Sequence, residues 1–170
     1  MSLEVSAAAL ALHRRSIVID GLVSGGSIDR ILHSLVEHGV TAANWAVSGH
    51  EDDHMTALMK MEERRWLLEA FPGKAMVALT AADIERAKAD GRFACVLGFQ
   101  GAASLEEHFN LLAIFWRLGL RLLQVTYSER NNLGYGCLEP EDRGLTHFGR
   151  QIVRDCNRLG ILLDVAHVGV

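Results

Sequence analysis

Short apolar runs alternate with amphipathic stretches along the whole chain. Ser16–Leu22 (SIVIDGL) is β-branched and fits a buried strand. Ser27 is placed to cap a helix whose apolar face is Ile28, Ile31, Leu32, Leu35 and Val36, as a 3.6-residue period requires. Gly39 ends that helix, where a left-handed residue is needed. Val40–Val47 predicts a second strand, followed by a helix from about Asp53 to Phe71 that Pro72-Gly73 stops. Ala75–Leu79 predicts a third strand, and Thr80-Ala81-Ala82-Asp83 opens a helix as a capping box. Phe93–Phe99 is a fourth strand, and Ser104-Leu105-Glu106-Glu107 reads as a second capping box before a helix ending at Gly119. Leu120–Thr126 is a fifth strand, and residues 127–145 form a long polar loop. The next helix runs from Thr146 to Leu159, with Gly160 at its end, and Ile161–Ala166 is a sixth strand.

Strands that are apolar throughout and separated by helices imply a parallel sheet covered on both faces. A (β/α) barrel and an open doubly wound sheet both satisfy that pattern. No GxGxxG or GxxxxGK[ST] follows the first strand, which removes support for the usual nucleotide-binding open sheets. The chain also finishes on a strand, and six strands do not close the usual eight-strand barrel. The expectation is an α/β fold: the N-terminal portion, about six strands, of a truncated TIM-type barrel, with residues 1–170 forming one domain.

Composition narrows the functional classes. At 170 residues, 49% hydrophobic and 22% charged, the chain is large enough for a real core. Its net charge is −4 and its basic residues are scattered, so neither a nucleic-acid stripe nor a polybasic membrane patch is expected. The apolar run Ala7–Leu12 precedes His13-Arg14-Arg15, the reverse of a signal peptide, and is too short to span a bilayer. Cys95, Cys137 and Cys156 are odd in number and widely spaced, which favours a reducing, cytoplasmic location over a disulfide framework.

In parallel α/β folds ligands gather at the carboxyl ends of the strands. That rule selects Asp20 and the Gly21–Gly26 loop, Asn44–His54, Gln100, Tyr127–Gly136, and Asp164 with His167. Tyr127 is placed to donate a hydrogen bond to a developing oxyanion, and Asn131 to orient a substrate amide or carboxylate. Turn chemistry is the competing explanation for Asn131 and its glycine neighbours. His50-Glu51-Asp52-Asp53-His54 matches HExxH, the zinc pattern of metalloproteases, but its acids suit a helix start better than a helix interior.

Several segments, taken in order, resemble the membrane dipeptidase (renal dipeptidase-like, peptidase M19) family. They are Val18-Ile19-Asp20-Gly21, Leu97-Gly98-Phe99-Gln100-Gly101, Arg117-Leu118-Gly119-Leu120-Arg121 and Gln124-Val125-Thr126-Tyr127. The most specific are Gly144-Leu145-Thr146-His147-Phe148-Gly149 and the run Asn157–His167. The resemblance implies a barrel of zinc peptidases that cleave dipeptides, and it makes His167 a metal ligand. It also exposes departures. The family's Asp-Gly-His-x-Asp places its metal-binding histidine and aspartate where this chain has Leu22 and Ser24, its bridging glutamate falls at Gln100, and a substrate-contacting histidine falls at Tyr127.

Two functions from different classes follow. One is a metal-dependent hydrolase of a dipeptide or small amide, with Tyr127 and Gln100 catalytic, Asn131 and Asp20 on the substrate, and His167 on zinc. The other is a catalytically inactive barrel that binds a small metabolite. Both imply a small-molecule partner without nucleic acid or membrane, and both allow a homo-oligomer. A third reading, a zincin centred on His50 and His54, requires both imidazoles one turn apart within a helix.

Overall fold

The computed structural model describes residues 5–24 and 28–170; the expected Ser27 cap lies outside them. Strand β1 (Ile19–Val23) is followed by α2 (Ile28–Glu37), β2 (Ala42–Ser48), α3 (His54–Glu69) and β3 (Ala75–Val77), after a lead-in helix α1 (Ala7–Arg15). Then come α4 (Ala81–Asp90), β4 (Phe93–Phe99), α5 (Phe109–Leu118), β5 (Leu120–Gln124), α6 (His147–Leu159) and β6 (Leu162–Asp164). Every strand pair is parallel, and the staves run β1-β2-β4-β5-β6.

All six expected strands form, but only five are successive staves of the barrel. β2 pairs directly with β4 along Ala94–Phe99, which leaves β4 one other edge. β5 takes the upper part of that edge from Leu97, and the three-residue β3 takes the lower part, Phe93–Cys95. The β3–α4 segment is therefore an excursion between two neighbouring staves.

Alternation along the staves assigns the faces. Trp45, Phe93, Leu97, Phe99 and Leu123 point outward into one core with Met61, Leu112, Phe115 and Ile152 of the helices. Trp45–Phe93 and Phe99–Phe115 meet edge to face, with centroids 6.1 and 4.8 Å apart. Each such fully buried side chain contributes about 1.5–3 kcal/mol of transfer free energy. The inner face begins with small residues, Ala42 and Ala94, and these admit Ala87 and Ile84 of α4 against the amino ends of the staves. Above that plug the concave face is open: Ile19 is 56% and Leu162 65% exposed. A cleft of about 510 Å³ runs between them, past Asn44, Val96 and Leu122.

Local signals are obeyed with one exception. Thr80 and Asp83 form the expected reciprocal box at α4, and Gly119 and Gly160 end α5 and α6 with φ of 113° and 72°. The box expected at Ser104 does not form. Ala103–Leu105 is a 3-10 turn, Glu106 has φ 46°, and α5 starts at Phe109. Ser104 is fully buried, and the carboxylate of Glu106 is taken by His54 Nδ1 at 2.7 Å instead of by the backbone.

Candidate functional site

At the carboxyl end of β5 the chain enters its longest loop, and the first side chain there is Tyr127. Its ring is sandwiched between two imidazoles. His50 lies against one face with centroids 4.2 Å apart and planes 15° apart, and His167 against the other at 4.3 Å and 20°. No hydrogen bond of the phenol hydroxyl is formed among the described residues, so stacking sets its direction. His167 itself has φ 64°, a conformation that costs a non-glycine residue of order 1 kcal/mol. It is held there by Ser128 Oγ, 3.3 Å from its Nδ1, and by Cys137 N–H, which donates to its carbonyl at 2.9 Å.

His50 was not legible as a partner of Tyr127. It belongs to the β2–α3 loop, where Gly49 N–H donates to Asp52 at 2.7 Å. The turn after β4 closes on it. Gly101 has φ 132°, and a Cβ there would lie 2.9 Å from His50 Cα, so only glycine lets this turn approach. His50, Tyr127, Ser128, Arg130 and Asn131 line a cavity of about 290 Å³.

Asn131 reaches the cavity wall but is largely spent on its own loop. Its Oδ1 accepts from Leu133 N at 2.8 Å and Gly134 N at 3.2 Å, and its Nδ2 donates to Val125 O at 2.8 Å. One N–H is left for a ligand. Gln100 and Asp20 stand elsewhere. The backbone N–H of Gln100 donates to Ser48 O at 2.9 Å, and its side chain borders a separate recess with Lys60 and Arg64. Asp20 accepts from Leu22 N at 3.0 Å and faces the concave cleft. The structure thus groups Tyr127, His167 and Asn131, adds His50, and sets Gln100 and Asp20 apart. Asp164 caps the end of β6 by accepting from Ala166 N at 2.8 Å.

The HExxH match is overturned. α3 begins at His54 with Asp53 as its cap, accepting from Thr56 N at 2.7 Å, so His50 lies outside the helix. His54 pairs with Glu106 while His50 stacks on Tyr127, so the two imidazoles do not converge on one point. The His54–Glu106 hydrogen bond raises the histidine pKa above its ordinary value and lowers that of the carboxyl. Asp52 is drawn upward by burial, but Lys60, with two contacts of 2.7 and 2.9 Å, and Gly49 N–H hold it below the usual carboxylate range.

A zinc centre needs several imidazole, thiolate or carboxylate donors converging on one point. Among the described residues no group of three or more such side chains does so. Leu22 has no lone pair, Gln100 carries no charge, and the ring of His167 stacks on Tyr127 and meets Ser128 Oγ. The donor set of this chain does not fit a two-zinc centre.

A model of the membrane dipeptidase family (peptidase family M19) matches residues 8–170. The chain belongs to this family. Among curated members, Dipeptidase 3 of Rattus norvegicus is 27% identical over 148 residues, covering 83% of this chain and 30% of its own length. An amidohydrolase from Pseudomonas aeruginosa superposes with a TM-score of 0.90 at 33% identity, over 94% of this chain and 49% of that one. A metallopeptidase from Rhodobacter sphaeroides, solved with a phosphinate mimic of the dipeptide L-Ala-D-Ala, shares the fold. Its TM-score is 0.75 at 22% identity, over 90% of this chain and 59% of its own. The M19 chain described here spans less than a third of the curated relatives it matches and about half of the solved structures. As an M19 member it carries a five-stave half-barrel.

Proposed function

We propose that this chain forms part of the substrate site of a dipeptidase-like hydrolase acting on a dipeptide or small amide. The observation that carries the reading is the clamped phenol of Tyr127 at the mouth of the strand ends. An O–H fixed by two stacked rings is a preorganised donor to a carbonyl oxygen as negative charge develops there. Gln100 supplies a neutral amide for positioning, His167 an imidazole beside the phenol, Asn131 its remaining N–H, and Asp20 a carboxylate on the concave side. Zinc is the family's implied cofactor, and His167 is the donor this chain offers it; no step is assigned to a metal. The three free cysteines support a reducing, cytoplasmic setting, and no helix of the described residues is long and apolar enough to cross a membrane.

The test is turnover of a dipeptide panel by the native protein, read as released amino acids. Tyr127→Phe is expected to lower kcat about 100-fold with KM changed little, as removal of an oxyanion donor does. Absence of turnover on the whole panel refutes the hydrolase. Leu22 and Gln100, which by the resemblance fall where the family binds metal, favour a second reading: a barrel that binds a small metabolite without transforming it. A ligand-dependent rise in Tm with no product would select that reading.

A further inference from the structure

A second recess, about 270 Å³, lies beside the tops of β2 and β4. It exists because β2 outruns its neighbour. Val23 is the last β1 residue to pair, opposite Trp45, so Ala46–Ser48 have a free edge there among the described residues. Lys60 and Arg64 of α3 and Gln100 at the end of β4 wall the opening.

Arg64 is the anomaly. Its guanidinium lies over the Trp45 ring with Cζ 4.4 Å from the centroid. Its Nε and Nη1 are shut off from solvent without an acceptor among the described residues. Burial also holds its pKa below the ordinary arginine value. Each buried donor without an acceptor is a defect, and a half-buried cation without an anion is a larger one. The nearby charges do not repair it. Asp52 is saturated by Lys60, Gly49 N–H and the Ser48 hydroxyl. Glu63 stands on the exposed rim and forms no ion pair with Arg64 among the described residues. Gln100 places a neutral amide, which can donate, at a position where a carboxylate would repel an anion.

We propose that this recess binds an oxyanion, the carboxylate or phosphate group of a small molecule, with Arg64 as anchor and Gln100 and Lys60 as further donors. A guanidinium pairs with either group through charge-assisted hydrogen bonds, and Nη2 is the nitrogen not shut off from solvent. Gln100 is shared with the proposed substrate site, but anion binding here requires no turnover and is read without it.

Thermal unfolding of the native protein in inorganic phosphate and in acetate, at ionic strength fixed with chloride, tests it. A saturable rise in Tm is expected with the preferred anion, and the stronger of the two titrations identifies a phosphate or a carboxylate ligand. Arg64→Met is expected to abolish that rise while leaving Tm in chloride equal to or above wild type, because an unpaired buried cation has been removed. Equal anion dependence in wild type and Arg64→Met, or no rise above chloride for either anion, overturns the proposal. If Arg64→Met does not fold, Gln100→Glu serves: a carboxylate facing the recess should weaken anion binding at least about tenfold. Unchanged affinity in that variant also overturns it.

Discussion

Replacing Asn131 with alanine separates a loop-forming residue from one that chiefly touches substrate. The change removes three hydrogen bonds at once, to Leu133 N, Gly134 N and Val125 O. Leu133 is 0% and Val125 4% exposed, so water reaches the stranded groups poorly. A buried polar group left without its partner costs about 1–3 kcal/mol, and three on one loop are not additive because the loop relaxes. The expected loss is about 2–4 kcal/mol, or roughly 5–15 °C in Tm for a chain of this size. Denaturant unfolding measures the loss, and hydrogen exchange of the Leu133 and Gly134 amides should quicken in step with it. Stability within about 0.5 kcal/mol of wild type, together with weakened peptide binding, would refute the reasoning.

The His54–Glu106 pair makes a pH-dependent contribution whose sign follows from both shifts. The lowered carboxyl pKa gives stability that is present above the ordinary glutamate value and lost as pH falls through the folded value. The raised histidine pKa gives stability that is present below the ordinary histidine value and lost as pH rises through the folded one. The pair is therefore strongest between about pH 4.5 and 6.5, so Glu106→Gln should lower stability in that window and remove the fall-off on either side of it. An unaltered curve in the variant would count against the pair. Burial pushes the thiols of Cys95 and Cys156 up to about 12, whereas Cys137 is exposed. One thiol per folded chain should react with a disulfide reagent at neutral pH, mapped to Cys137 by mass spectrometry; fast labelling of a second would contradict the burial.

Local rules made most of the fold readable from the chain. Apolar runs such as Phe93–Phe99 are strands buried along nearly their whole length, and Gly119 and Gly160 end helices because they take positive φ. The reading failed where a distant partner outbid a local one. Glu106 belongs to a good capping pattern, yet His54, far away in sequence, holds its carboxylate and the backbone turns left-handed instead. β3 has the composition of a stave, but its rank in the barrel depends on β2 reaching β4 directly, which no local pattern encodes. The candidate site shows the same division. Strand-end position selected Tyr127 and His167, while His50 joined them only through the close approach at Gly101. The spending of Asn131 on its own loop likewise depends on where Val125 and Leu133 come to lie.

The β3–α4 excursion also bears on how the chain acquires its fold. β2 and β4 can register only after the intervening segment, about 45 residues, has brought its ends together. Closing so long a loop costs little more than closing half of it, about 0.6 kcal/mol per doubling. The thermodynamic burden is thus small, but the search is non-local, and such pairings slow folding. The seat of Ala87 and Ile84 against Ala42 and Ala94 ties the excursion to the same two strands. Docking α4 there would hold the ends of β2 and β4 near each other while their ladder zips, making this helix a folding staple as well as a floor for the barrel.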